Sequence, residues 1–107
     1  MTFKVLFTPE VRDQLDSLER YIAAVGSPAT AARYVDAIVT YCESFQTAPL
    51  RGTRRDDLFP GLRITSYRRR VVVAFLADEA SETVSIVGIF YGGQDYEARW
   101  LDDSGAP

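Results

Sequence analysis

Seven arginines, at positions 51, 54, 55, 63, 68, 69 and 70, fall within one short stretch that contains only two acids, Asp56 and Asp57. The stretch 51–70 therefore carries a net charge of +5, seven arginines less two aspartates. A guanidinium stays protonated and presents a planar fork of donors, which suits bidentate contacts with carboxylate or phosphate. Residues 1–50 carry a net −2 and residues 71–107 a net −6, so the overall −3 conceals a basic centre between acidic ends. Such a centre can meet an acidic partner, a nucleic acid, or the protein's own acidic tail.

Other chemistries are narrowed by what the chain lacks. It has no histidine, one cysteine (Cys42) and one lysine (Lys4). Ser-His-Asp and Cys-His catalysis are excluded, and so is the commonest zinc ligand. An intrachain disulfide is impossible. Any reaction would have to run on Arg, Lys, Tyr, Asp or Glu. The acidic pairs Asp56-Asp57, Asp78-Glu79 and Asp102-Asp103 sit in turn-like stretches and read as solvated loops rather than a metal site. Tyr21, Tyr34 and Tyr41 read as amphipathic packing rather than a cofactor box, and no cofactor is expected. Past Gly93 lie Asp95, Tyr96, Arg99 and Trp100. Trp and Arg are frequent interface hot spots, although Trp100 can equally pack back on the body of the protein.

The elements that hold these residues follow from periodicity and caps. Phe3, Val5 and Phe7 alternate as a short strand. Thr8-Pro9-Glu10 is a helix start, with Thr as N-cap and Pro at the first helical position. Val11, Leu15, Leu18 and Ile22 then mark one apolar helix face, and Gly26 is the stop. Ser27-Pro28 repeats the start signal, predicting a second helix to about Thr47 with Ala31, Tyr34, Val35, Ile38, Cys42 and Phe45 on its apolar side. So short a link folds the two helices into an antiparallel hairpin. Leu50 to Asp57 reads as loop, and Pro60-Gly61 as a turn. Three strands follow, Leu62–Tyr67, Val71–Leu76 and Thr83–Tyr91, with turns at Arg68-Arg69 and Asp78–Glu82. The predicted order is β-α-α-β-β-β, a two-layer α+β fold with the helical hairpin on one face of a mainly antiparallel sheet. One domain is expected over residues 1–101, with a frayed tail at 102–107. No apolar run reaches the roughly 18 residues of a membrane span, and the N-terminus does not read as a signal peptide. A cytoplasmic protein is the default.

Several stretches, taken in order, resemble the RelE/ParE toxin superfamily. Pro49-Leu50-Arg51-Gly52 and Asp57-Leu58-Phe59-Pro60-Gly61-Leu62-Arg63 look like the family's passage from second helix to second strand. Val71 to Leu76 looks like its central strand, and Ile86 to Glu97 like its last strand and following turn. The resemblance spans roughly residues 3–100, closer to the ParE branch, and implies a toxin encoded with an antitoxin. RelE-type members cut messenger RNA on the ribosome, whereas ParE-type members poison DNA gyrase by binding it.

RNA cleavage without metal or histidine needs a base, a positive charge at the transition state and an acid. RelE-like nucleases supply these with Lys, Arg and a C-terminal Tyr. Here Val72 stands near one expected catalytic Arg and Gln94 near another, leaving Tyr96 as the only match. The set is depleted, so no catalytic residue is assigned and the ParE reading is preferred, with no direct readout of nucleic acid expected. A RelE-like ribonuclease and a non-toxic antitoxin-binding homologue remain the alternatives. For contact with the antitoxin in a hetero-oligomer, the candidates are Tyr21, Val25, Tyr34 and Ile38 on the helical hairpin, with Arg63, Arg68 and Arg70. A segment that folds on binding, with an acidic character, would suit them. For contact with gyrase, the candidates are Arg51, Arg54, Arg55, Tyr96, Arg99 and Trp100.

Overall fold

A computed structural model describes residues 2–105, with side chains described through Trp100. Thr8 and Ser27 act as the two N-caps: their side-chain oxygens accept from Val11 N–H at 3.2 Å and Thr30 N–H at 3.1 Å. Each is followed by Pro at the first helical turn, where a missing N–H costs nothing. The result is α1 (Pro9–Val25) and α2 (Pro28–Glu43), preceded by strand β1 (Lys4–Phe7). The second helix stops earlier than its apolar pattern predicts, because the chain tightens into a 3-10 turn at Ser44–Gln46. Gly26 closes α1 by donating its N–H to the Ile22 carbonyl at 2.8 Å.

The remaining strands are β2 (Thr53–Arg54), β3 (Leu62–Tyr67), β4 (Val71–Asp78) and β5 (Thr83–Tyr91). They form one five-stranded sheet in the order β1-β5-β4-β3-β2. Only the β1–β5 pairing is parallel; the others are antiparallel. β4 is central, with four of its eight residues buried and three more half-buried, as suits its continuous β-branched run. The register slips between Ala74 and Phe75, where β5 carries an irregularity at Val87-Gly88. Gly88 is needed there, since a Cβ would come within 2.6 Å of the Phe90 ring. Beside it, the Ile89 N–H donates to Gln14 Oε1 at 2.7 Å, tying α1 to β5.

The sheet has two covered faces. On the first, Val11, Leu15, Leu18, Val35, Ile38, Cys42 and Phe45 of the helices meet Val71, Val73, Phe75, Val84, Ile86 and Ile89 of the strands. Full burial of each such side chain contributes about 1.5–3 kcal/mol, so this layer dominates stability. On the second face, Trp100 packs with Leu62, Ala74 and Phe90. It is delivered by a third helix, α3 (Tyr96–Gly105).

Two corrections to the sequence reading follow. The passage at 50–57 is not all loop, because Thr53–Arg54 pairs with Arg63 and Ile64 as an edge strand. The predicted order also lacked α3, which runs from Tyr96 to Gly105; Ala106 and Pro107, part of the expected frayed tail, lie outside the described residues. No helix among the described residues is long and apolar enough to cross a membrane.

Candidate functional site

An open groove of about 580 Å³ lies where the helical hairpin meets one end of the sheet. Leu18, Tyr21 and Ile22 of α1 and Tyr34 of α2 form one wall, Tyr91 at the end of β5 faces them, and Arg69 and Arg70 stand at the rim. The Tyr21 and Tyr91 rings are 6.3 Å apart. Tyr21 is 58% exposed, and Val25, one turn further along α1, is 70% exposed. An aromatic body with a polar tip suits a surface that is wet when free and buried in a complex. The rim comes from the β3–β4 turn, closed by Arg70 N–H donating to the Tyr67 carbonyl at 3.2 Å. Both central residues of that turn, Arg68 (φ 53°) and Arg69 (φ 63°), are left-handed. Such turns strongly prefer Asn and Gly, which accept positive φ at little cost.

The arginines divide sharply by what surrounds them. Arg55 is clamped: it donates to both Asp57 oxygens at 2.9 and 2.8 Å and to the Tyr96 hydroxyl at 3.0 Å, and it pairs with Glu97 at 2.6 Å. These partners push the Arg55 guanidinium further above its ordinary value, Asp57 first and then Glu97. Asp57 in turn is held below the usual carboxylate range by Arg55. Arg54 pairs with Asp56, whose carboxylate is held low first by the Gly61 N–H and then by Arg54. Arg51 donates to the Ala48 carbonyl and lies over the Tyr41 and Phe45 rings, at 5.4 and 4.7 Å. Arg63 donates to the Leu50 carbonyl at 2.8 Å. Arg99 pairs with Glu10 of α1 and lies 5.9 Å from the Trp100 ring. Only Arg68, Arg69 and Arg70 of the basic stretch are exposed with no side-chain carboxylate or hydrogen-bond partner among the described residues. Arg68 lies over the Tyr67 ring at 5.3 Å.

A family model described as ParE toxin of type II toxin-antitoxin system, parDE, matches residues 5–96. The chain belongs to the ParE toxin family. Its fold is that of solved toxin-antitoxin proteins. One is the chromosomal ParDE system from P. aeruginosa, at TM-score 0.72 and 20% identity, covering 84% of this chain and 96% of that one. Another is the RelBE2 toxin-antitoxin complex from Mycobacterium tuberculosis, at TM-score 0.64 and 19% identity, covering 86% of this chain and 100% of that one. No curated relative matches.

Within this ParE-family fold, the antitoxin-contact candidates separate. Tyr21, Tyr34 and Arg70 converge on the groove. Val25 is exposed but does not line it. Ile38 is fully buried in the helix–sheet core and offers nothing to a partner. Arg63 is turned to the backbone of the preceding loop, and Arg68 stacks on Tyr67 outside the groove. Arg69 and Tyr91 are groove residues that sequence reasoning missed.

The target-contact candidates are mostly engaged within the protein itself. Arg54, Arg55 and Arg99 are neutralised by Asp56, by Asp57 with Glu97, and by Glu10. Trp100 is only 9% exposed, with its ring 5.9 Å from Phe90. Arg55 with Tyr96 and Glu97, Arg99 with Glu10, and the packed Trp100 tie α3 to the body of the protein, while Arg54 is paired within its own loop. Part of the basic centre therefore meets the protein's own acids, as Arg55–Glu97 shows. The positions matched to RelE-like catalysis are also engaged. Val72 packs beside the Leu62–Trp100 cluster. The Gln94 side chain accepts from the Tyr91 N–H at 3.0 Å, and Tyr96 accepts from Arg55.

Proposed function

We propose that this chain is a ParE-type toxin that inhibits DNA gyrase by binding it, without catalysis, and that a cognate antitoxin silences it from the tyrosine groove. The observation that carries the non-catalytic reading is the occupation of three positions. Where a RelE-like nuclease would place its arginines, this chain has an apolar Val72 and a Gln94 already bonded to backbone, and its Tyr96 is tied to Arg55. Charge stabilisation and proton transfer need groups free to meet the reacting atoms. A toxin that works by binding needs only a surface. The antitoxin reading is supported by membership of a toxin-antitoxin family and by the exposed Tyr21 beside a groove lined with Tyr34 and Tyr91. A segment that orders on binding would bury those rings.

The test is induction of the protein alone in bacteria. The expected result is growth arrest with a DNA-damage response and intact messenger RNA, relieved by co-expression of an antitoxin from the same operon. Arrest accompanied by codon-periodic cuts in ribosome-bound messages would instead favour the ribonuclease. Absence of any arrest would favour a non-toxic binder.

A further inference from the structure

Arg51, Arg54, Arg55 and Arg63 are each engaged inside the protein, by a backbone carbonyl or a carboxylate. Arg68, Arg69 and Arg70 at the β3–β4 turn are exposed and have no side-chain carboxylate partner among the described residues. The chain carries −3 in all, so without these three cations the remainder carries −6, from −3 less 3. Three adjacent guanidiniums therefore stay unmatched in a chain with acids to spare. Arg68 and Arg69 also hold left-handed backbone, where Asn-Gly would sit with less strain. Residues kept in such conformations cluster at functional sites. The base of the turn is firmly held. The Tyr67 ring packs 5.0 Å from that of Tyr41 on α2, the Tyr41 hydroxyl lies 3.1 Å from Thr65 Oγ1, and Val71 on the other side is buried.

We propose that this turn grips the phosphate backbone of the DNA on which gyrase acts, so that the toxin holds enzyme and DNA together. The proposal rests on the gyrase reading above and adds a second contact to it. Guanidiniums meet phosphate bidentately. Duplex DNA carries one negative charge per roughly 1.7 Å of its axis, dense enough for three neighbouring arginines to find separate partners. The tilt toward phosphate rather than a protein surface comes from what else the turn exposes. Its exposed residues are Ser66 and the three arginines, and Tyr67 is half-buried. A protein interface is built on an apolar core inside a polar rim. Phosphate contacts need only placed cations, and they position a protein on the duplex without reading its sequence. Three such contacts supplement a complex that gyrase already anchors.

The experiment measures binding of the fluorescein-labelled toxin to purified gyrase by anisotropy, with and without a linear duplex carrying a gyrase cleavage site, across a salt series. The wild type is compared with a triple variant, Arg68→Asn with Arg69→Gly and Arg70→Gln. It removes the three charges and supplies the residues that suit a left-handed turn; thermal unfolding verifies that it folds. The wild type should bind gyrase about tenfold or more tightly when the duplex is present. The triple variant should lose that gain and keep its affinity for gyrase alone. With duplex present, its slope of log K against log salt should be shallower by about 2–3, at about 0.9 per phosphate contact. A duplex that adds nothing to wild-type binding, or a gain that survives in the triple variant, overturns the proposal and leaves gyrase binding standing. Equal losses with and without duplex assign the turn to an acidic surface of gyrase and overturn it as well. No wild-type binding in either condition contradicts the gyrase reading, and the proposal falls with it.

Discussion

Arg69→Gly is expected to make the protein more stable, because the side chain it removes sits on strained backbone. In the folded state, relief of the left-handed conformation at φ 63° is worth about 1–2 kcal/mol. Against this, glycine loosens the unfolded chain, which costs about 0.4–1 kcal/mol. Arg69 makes no hydrogen bond or ion pair among the described residues, so little else is lost. The net is a gain of about 0–1.6 kcal/mol, centred near 0.8 kcal/mol. For a domain of this size, the central value raises Tm by roughly 3–6 °C, at about 4–8 °C per kcal/mol. Circular dichroism melts of the wild type and the variant measure it directly, with the transition checked for two-state behaviour. A fall in Tm would refute the reasoning, since it would mean that Arg69 contributes to folding more than its backbone costs.

Three further outcomes test other parts of the account. Ile38→Ala should cost about 2–5 kcal/mol, because Ile38 is fully buried among α1, α2 and the sheet; urea unfolding reads the loss, and a cost under about 1 kcal/mol would place Ile38 at the surface instead. Cys42 should resist thiol reagents at neutral pH until the protein unfolds, since burial, aided by Glu43, pushes its thiol up to about 12; fast labelling of the native protein would contradict its place in the core. Acid should destabilise the fold through Asp56, Asp57 and Asp78, whose carboxylates lie below their ordinary 3.8. A depressed folded value means the contribution is complete above the unfolded value and is lost as pH falls through the folded ones. Melts below about pH 4 should therefore show a steeper loss in the wild type than in Asp57→Asn; parallel curves would refute a role for the Arg55–Asp57 contact.

The parts of the fold legible in sequence are those set by local signals. Thr8-Pro9 and Ser27-Pro28 mark both helix starts, and the caps they announce are present. Alternation and β-branching placed β1, β3, β4 and β5. α3 was missed because its stretch is short and polar. The available signal was Asp95, whose carboxylate accepts from the Glu97 and Ala98 N–H groups at 3.1 and 3.3 Å as a helix cap. β2 was missed because two residues carry no periodicity.

Site residues divide along the same line. Tyr34 could be assigned to the hairpin's apolar side and Tyr21 to amphipathic packing next to it, but helical spacing does not tell which part of that side the sheet covers. Ile38 shares the side with Tyr34, yet it meets the strands. Arg69 and Tyr91 join the groove only through the path of the sheet, which brings the end of β5 beside the β3–β4 turn. The clamp on Arg55 likewise combines a neighbour in sequence, Asp57, with Glu97 from α3. Charge counting found the basic centre. The fold decides which arginines of that centre remain free, and they are the three at one turn.

The central claim, a toxin that disables gyrase by binding, is tested most directly by supercoiling with purified DNA gyrase. The protein is titrated into the reaction, and the products are read for lost supercoiling and for cleaved DNA trapped on the enzyme. Inhibition with trapped cleavage is expected, unchanged by Tyr96→Phe because no proton transfer is involved, and reversed by the antitoxin. Full supercoiling activity at large molar excess of folded protein would contradict it.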